Sequence, residues 1–275
     1  MAMAPATVVD PIARTALPFG LFSAVTPRPV GNSRWENGVI WEPLTCGPAS
    51  GIGDPDCDPE VPTVGLPKTF PESGGTDEAD AFTIYGSYEC SPMGHTLEYA
   101  QERATEHLIA REEARAEQAL WTGDLGNTPN FSTADTSASA AASPREAIAE
   151  AEQYIATNYG SLGVIHMCRL VASLALAEEA LEVRGTRLFT RLGTPVIAGA
   201  GYPCTHPDGT TAGTFIVASP ALMLYRSEIF TPTTRTGDLL DRAQNNMHGM
   251  AERRYLVGWD DCPPVLAIEV ETVVV

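Results

Sequence analysis

The six cysteines are the residues of this chain with the widest chemical range: Cys46, Cys57, Cys90, Cys168, Cys204 and Cys262. A Cys-His zinc site needs ligand pairs at short spacing, and the sequence contains no Cys-x-x-Cys pair. Cys204 with His206 and the distant Cys262 comes nearest to such a pattern, and it is weak. We therefore predict free, buried or unreactive thiols, which suit a protein of a reducing compartment.

Three aspartates, Asp54, Asp56 and Asp58, repeat at the alternate spacing of a calcium-binding loop. Pro55 and Pro59 interrupt that spacing, and the sixth position of the loop is not glycine. A solvated acidic loop is therefore the interpretation, with an ion site left open as the alternative.

The five histidines occur singly, and the chain has no GxSxG, HExxH or P-loop motif. Gly199 to Cys204 begins like a dinucleotide-binding loop but lacks the third glycine and runs into Pro203. His166 lies inside an apolar segment, which favours a hydrogen-bonded structural histidine over a general base. We predict no catalytic residue, no cofactor and no metal. An α/β hydrolase whose residues assemble from distant positions stays open as an alternative.

Charge excludes one broad class of function. The 275 residues carry a net charge of −18, which argues against recognition of a phosphate backbone. Lys68 is the only lysine beside 16 arginines, a skew typical of a GC-rich genome. No apolar run approaches 18 residues and no signal peptide is recognisable, so we predict a soluble, non-secreted protein.

The longest helical signal lies between Thr96 and Gly123, which stand at the positions of the two caps. The intervening residues include neither glycine nor proline and are rich in Ala, Glu, Arg and Leu. Its charges are sorted into two i, i+4 rows: Glu98, Glu102 and Glu106, and Arg103, His107, Arg111 and Arg115. Since like charges at this spacing repel, either partners of opposite sign lie in the same or a neighbouring chain, or the rows are solvated.

The first third of the chain is poor in regular patterns. Residues 1–34 contain five prolines and predict an extended arm. Strand signals at Trp35 to Trp41 and Phe82 to Cys90 enclose a long irregular stretch rich in Pro, Gly and Asp. We predict an extended hairpin that projects from the body.

Residues 143–219 predict a compact α/β unit. Ser143 to Glu146 forms a capping box with proline at the first helical position, and the helix should end at Tyr159. We predict a second helix from Leu170 to Val183, and strands at Val164 to Cys168, Thr194 to Ala198 and Gly213 to Ala218.

The C-terminal region predicts two further strands, from Arg253 to Trp259 and from Val265 to Val275. Leu266, Ile268, Val270 and Val274 share a face opposite Glu269 and Glu271, as in a strand with one buried face. We expect the two strands to pair as an antiparallel ribbon that is interrupted at Cys262 and docks on another part of the molecule.

The order of these elements resembles the major capsid proteins of tailed bacteriophages with the HK97-like fold. The segment Glu117 to Asn127 (EQALWTGDLGN) is similar to the C-terminal end of the family's spine helix. Two further segments are similar to strands of the family's axial domain: Ile165 to Met167 and Leu192 to Val196. The resemblance implies an α+β fold divided into an N-arm (1–33), an E-loop (34–90), a peripheral domain with the spine helix (91–137), an axial domain (138–220) and peripheral return strands (221–275).

The resemblance implies a structural function. The chain would self-assemble as hexamers and pentamers into an icosahedral head shell around double-stranded DNA, without sequence-specific binding and without a membrane. Assembly would take place in the cytoplasm of a GC-rich, actinobacterial host, with a portal and with separate scaffolding or decoration proteins as partners. An encapsulin-like compartment shell is the closest alternative.

Some members of the family join their subunits through an isopeptide bond between an E-loop lysine and a peripheral asparagine, assisted by a glutamate. The resemblance places Lys68 in the E-loop and Asn245 and Glu252 in the peripheral region. We therefore consider an inter-subunit crosslink, with non-covalent contacts as the alternative.

Overall fold

The computed structural model describes residues 15–28, 33–43, 49, 75–139, 143–232, 240–241 and 243–272. These ranges contain four α-helices: α1 (Leu21–Ala24), α2 (Leu97–Thr122), α3 (Pro144–Asn158) and α4 (Arg169–Ala177). The thirteen strands among the described residues are β1 (Val39–Trp41), β2 (Asp77–Ala79), β3 (Phe82–Cys90), β4 (Asp135–Thr136), β5 (Val164–Cys168), β6 (Leu181–Arg184), β7 (Arg187–Thr190), β8 (Pro195–Gly199), β9 (Thr214–Ser219), β10 (Met223–Arg226), β11 (Leu240–Asp241), β12 (Asn246–Gly258) and β13 (Leu266–Val270).

The long helix is confirmed, with both predicted caps. The hydroxyl of Thr96 accepts a hydrogen bond from the Tyr99 N–H, and Gly123 has the left-handed backbone conformation, with φ of 68°. Some of the sorted charges find partners within this chain, since Arg103 contacts Glu106 and Arg115 lies 3.0 Å from Asp124.

One face of α2 packs on a set of antiparallel strands built on the 13-residue strand β12. β12 pairs antiparallel with β3 along one edge, and with β10 and β11 along the other. The helix approaches so closely that a Cβ atom on Gly86 of β3 would lie 2.5 Å from the carbonyl oxygen of Ala104. Glycine at this position therefore allows the helix to lie directly on the strands.

A seven-stranded sheet forms the second layer, in the order β4-β13-β9-β5-β8-β7-β6. β5 and β8 are parallel, whereas most other neighbours are antiparallel. α3 packs on β9 and β13, and its predicted capping box between Ser143 and Glu146 is present. The buried strand residues Ile165, Ile197 and Ile216 belong to the large core that also includes the apolar face of α2.

Three sequence predictions, two about strand pairing and one about a helix end, are wrong. The two C-terminal strands do not pair with each other, because β12 lies with β3 while β13 joins the seven-stranded sheet beside β9. The N-terminal hairpin closes through β1 and the short strand β2, not through β3. The second helix of the α/β unit ends at Ala177 and not at Val183.

The early end of α4 has a local cause. Glu179 adopts a left-handed conformation, with φ of 58°. The N–H of Ala180 bonds the carbonyl of Ala175, and the N–H of Glu179 bonds that of Leu176. This is a Schellman motif in which glutamate takes the place usually held by glycine. Residues 181–190 then form the hairpin of β6 and β7.

The prediction of free thiols is also wrong. Cys168 and Cys204 form a disulfide with a Cα–Cα distance of 5.3 Å, and Cys262 is disulfide-bonded as well. Cys90 is the free cysteine within the described residues. Spacing in the sequence carried no sign of this pairing, because the fold brings together residues that are 36 positions apart.

Among the described residues, no helix combines the length and the apolar character that a membrane span requires.

Candidate functional site

A segment that we call the strap, residues 18–28, connects the two sheets. At its start, the Phe19 carbonyl accepts a hydrogen bond from Ala198 of β8 at 2.8 Å, and the Arg169 guanidinium donates to the Pro18 carbonyl at 3.0 Å. At its end, the Arg28 N–H donates to the Leu224 carbonyl of β10 at 2.8 Å. The strap thus ties the seven-stranded sheet to the sheet built on β12.

Two glutamates of α2 hold the middle of the strap. The Leu21 N–H donates to Oε1 of Glu117 at 2.9 Å, and the Phe22 N–H donates to Oε1 of Glu113 at 2.8 Å. These N–H groups begin α1 and have no partner inside that helix, so the two carboxylates take the place of a cap. Glu117 also accepts a hydrogen bond at its other carboxylate oxygen, Oε2, from the Gly201 N–H at 2.9 Å.

Burial changes the ionisation of both glutamates. Glu117 is 1% exposed, and this desolvation raises its pKa to about 7 against the hydrogen bonds from Gly201 and Leu21, which lower it. The nearby charge of Glu113 raises the Glu117 pKa further. Burial also raises the pKa of Glu113 above its ordinary value. The strap is therefore hydrogen-bonded to a carboxyl group, that of Glu117, which titrates near neutral pH.

A third glutamate of the helix, Glu112, anchors α2 to the other sheet. Its carboxylate lies between the guanidinium groups of Arg226 and Arg253 and accepts a hydrogen bond from the Tyr255 hydroxyl. Burial and the adjacent Glu112 raise the pKa of Tyr255, which keeps the hydroxyl protonated as a donor. The aromatic ring of Phe22 in the strap stacks on Tyr255 at 5.7 Å.

The loop between β8 and β9 contacts α2 from the side of the seven-stranded sheet. The indole N–H of Trp121 donates to the Thr205 carbonyl at 3.1 Å, and its ring lies 5.0 Å from that of Tyr202. A Cβ atom on Gly201 would collide with the backbone of Ala114. Together, the strap, α2 and this loop form a buried region that we call the joint.

His166 lies at the base of the joint and is structural, as the sequence predicts. It is buried, Nδ1 lies 2.9 Å from the Tyr202 hydroxyl, and Nε2 lies 2.9 Å from the hydroxyl of Ser219. Desolvation lowers its pKa to about 3. The imidazole is therefore neutral and serves as a hydrogen-bonding group in the core.

One set of side chains has the order of a hydrolase triad. Nε2 of His206 lies 3.0 Å from the Thr136 hydroxyl, and Nδ1 lies 3.0 Å from Oδ1 of Asp208. That oxygen already accepts hydrogen bonds from the N–H groups of Thr210 and Thr211, while the Asp208 N–H donates to Nδ1 at 3.1 Å. Nδ1 thus lies within hydrogen-bond distance of both the Asp208 N–H and the Asp208 carboxylate, and the tautomer of His206 sets which partner is the donor in its hydrogen bond with Thr136.

The structure describes two of the three residues considered for the crosslink. Asn245 is exposed in the turn before β12, and Glu252 is half-buried within that strand. Seven extended positions span about 23 Å, so the two side chains are far apart in one chain. Glu252 lines a cavity of about 740 Å³ together with the charged residues Arg226, Glu228 and Arg254. Lys68 and the acidic loop of Asp54, Asp56 and Asp58 lie outside the described residues.

No grouping of three or more His, Cys, Asp and Glu side chains in the described part of the chain could hold a metal ion. The glutamates of the joint that sequence reasoning missed are Glu112, Glu113 and Glu117. A signal was available for the first, since Leu108, Glu112 and Ala116 form one i, i+4 row in which an acid interrupts the apolar face.

The whole architecture is similar to that of several solved phage and particle chains. A chain of Mycobacterium phage Bobi matches with a TM-score of 0.55 at 13% identity, covering 98% of this chain and 96% of the other. A chain from the capsid of an empty GTA particle, computed with C5 symmetry, matches with a TM-score of 0.58 at the same identity and coverage. This chain has the HK97-like capsid fold.

A chain of Microbacterium phage Oxtober96 supports the same HK97-like fold, with a TM-score of 0.57, 13% identity and coverage of 98% and 96%. No protein family profile and no curated protein matches the sequence. The likeness to these solved structures therefore lies in the fold.

Proposed function

We propose that this chain is a major capsid protein, which self-assembles into the icosahedral head shell of a tailed phage or a related particle. The observation that carries the proposal is the match over 98% of the chain to a chain of a GTA capsid. The shell would enclose double-stranded DNA without binding it tightly, which agrees with a net charge of −18.

Large apolar side chains are exposed on several separate segments, among them Ile40, Tyr85, Met93, Leu192 and Phe230. Single exposed apolar residues are usual on a protein surface, and in an assembly they are available for contacts between subunits. In this proposal the neighbours are copies of the chain in hexamers and pentamers, joined by a portal and by separate scaffolding or decoration proteins.

The division of the chain into N-arm, E-loop, peripheral domain and axial domain belongs to this proposal. So does its location, with assembly in the host cytoplasm and a final place in the virion. The strap and the joint would then hold the two sheets of each subunit in one relative orientation while neighbouring copies make contact.

Particles purified from a producing host test the function. The proposal expects this chain to be the most abundant protein of closed particles that protect double-stranded DNA from added nuclease. Particles that contain a protein cargo and no protected DNA would instead favour a compartment shell. The absence of the chain from particles that carry DNA would contradict the proposal.

The crosslink is a separate proposal about Lys68, Asn245 and Glu252. The lysine amine would displace ammonia from the asparagine side-chain amide of a neighbouring copy, with the glutamate accepting the proton. Since Lys68 is the only lysine, Lys68→Arg removes the nucleophile and keeps the charge. Denaturing gels of boiled particles should show oligomers for the wild type and monomers for the variant. Monomers in both would reject the crosslink without affecting the shell.

A further inference from the structure

The disulfide between Cys168 and Cys204 joins two elements of the joint. Cys168 is the last residue of β5, immediately before α4, and it is 2% exposed. Cys204 lies in the loop between β8 and β9 and is half-buried. The bond therefore attaches this loop covalently to the centre of the seven-stranded sheet.

The attached loop is also the one that contacts the long helix. Its Gly201 N–H binds Glu117, its Thr205 carbonyl binds the Trp121 indole, and Tyr202 packs on that indole. A constraint on Cys204 is therefore a constraint on the contact between α2 and the seven-stranded sheet. The disulfide thus restricts relative movement at the joint, in addition to stabilising one sheet.

The proposed function sets this bond in two redox environments. A shell assembled in a cytoplasm forms where thiols are kept reduced, whereas a released particle meets an oxidising medium. We propose that Cys168 and Cys204 remain thiols during assembly and form their disulfide after release, as a redox lock on the joint. This inference rests on the proposed function, because that function supplies the change of compartment.

The two cysteines differ in access, which gives the reaction an order. The half-buried Cys204 thiolate attacks a low-molecular-weight disulfide of the medium, forms a mixed disulfide and expels one thiolate. The buried Cys168 thiolate then attacks the Cys204 sulfur and expels the second thiolate. The external disulfide gains two electrons, and the two expelled thiolates take up the two protons that the cysteines lose.

Thiol trapping in the wild-type chain tests the timing. Infected or expressing cells are broken in a denaturing buffer that contains N-ethylmaleimide, so that the reagent reaches the buried Cys168 thiol, and particles released from the same culture are treated identically. Cleavage after arginine places Cys168 in peptide 146–169 and Cys204 in peptide 192–226, each without another cysteine. We expect both peptides to be modified in the intracellular sample, and joined by a disulfide in released particles. Joined peptides inside cells, or modified peptides in released particles, would overturn the proposal.

Thermal melting of the same samples tests the locking effect. Released wild-type shells should melt roughly 5–10 °C above intracellular shells, and the double variant Cys168→Ala, Cys204→Ala should lose this gain. Cys90→Ser is the matched control, since Cys90 is free and lies on β3 away from this bond. Equal melting of the two wild-type samples would contradict the lock.

If the double variant does not form shells, released shells of the Cys262→Ala variant, which lack the other disulfide, are treated with a phosphine reductant. Return of both thiols with a lower melting temperature supports the lock, whereas return of the thiols with unchanged melting overturns it. Electron microscopy of each sample shows whether shells are present. A failure of the redox lock is thereby distinguished from a failure of the shell function.

Discussion

Arg253 of β12 donates from a single nitrogen, Nη1, to both carboxylate oxygens of Glu112 in α2, at distances of 3.0 and 2.8 Å. Glu112 is 3% exposed, so this pair lies almost entirely out of water. It joins the long helix to the sheet built on β12, and a second arginine, Arg226, also contacts the Glu112 carboxylate. Such a buried pair is sensitive to the loss of one partner, because the remaining charge is left without compensation.

The first prediction concerns the replacement of Glu112. Glu112→Gln leaves two partly buried guanidinium groups beside a neutral amide, so the free energy of unfolding should fall by about 2–4 kcal/mol. Denaturant unfolding of the purified chain measures this loss. Glu106→Gln is the matched control, because the Glu106 side chain is 60% exposed and its replacement should change stability by less than about 0.5 kcal/mol. Equal effects of both variants would contradict the structural role of Glu112.

The second prediction concerns pH and Glu117. Its pKa is about 7 in the folded chain and 4.5 in the unfolded chain, so the folded state binds the proton more tightly. The stabilisation from this group is therefore complete below about pH 4.5 and is lost as the pH rises through about 7, by roughly 3 kcal/mol in total. Glu117→Gln should abolish this loss, as seen in the difference between variant and wild-type stability from pH 4.5 to 8. A difference that does not vary with pH would contradict it.

The third prediction concerns His166, whose titration makes stability rise with pH, opposite to the effect of Glu117. Its pKa falls from 6.5 to about 3 on folding, so its contribution is present above pH 6.5 and is lost as the pH falls toward 3. Between pH 4.5 and 6.5 the two groups compensate each other, and the wild type should show little slope from them. His166→Gln should therefore expose the decline due to Glu117, with stability falling as the pH rises. A variant with the wild-type pH profile would refute the assignment.

Close packing of helix and strand gives the fourth prediction. Gly86→Ala places a Cβ atom 2.5 Å from the Ala104 carbonyl oxygen and 2.6 Å from the Leu108 nitrogen, both of them backbone atoms of α2. Because the helix backbone does not yield as a side chain does, we expect a loss of about 1–3 kcal/mol or more. Gly75→Ala is the control, since no atom lies within 4 Å of its added carbon. Comparable unfolding midpoints for the two variants would show that the approach is looser than described.

Features set by neighbouring residues could be predicted from the sequence. Thr96 and Gly123 cap α2, and Ser143 with Glu146 caps α3, because each cap depends on side chains and backbone within a few positions. The end of α4 could not be predicted, since Glu179 is an uncommon residue for the left-handed position that ends the helix.

Features set by distant residues could not be predicted. The alternation in β13 correctly indicated a strand, but both of its faces carry buried residues, Ala267 on one and Ile268 on the other, and alternation does not name the partner, which is β9. The same limit applies to Cys168 and Cys204, which become neighbours through the folding of β5, β8 and β9. Glu117 has its function only because the strap and Gly201 meet at its carboxylate.

Size-exclusion chromatography with negative-stain microscopy of the recombinant chain tests whether it assembles into shells. We expect closed shells, or hexamers and pentamers that convert to shells when a scaffolding protein is supplied. A monodisperse monomer that forms no shell even with scaffolding protein would contradict this expectation.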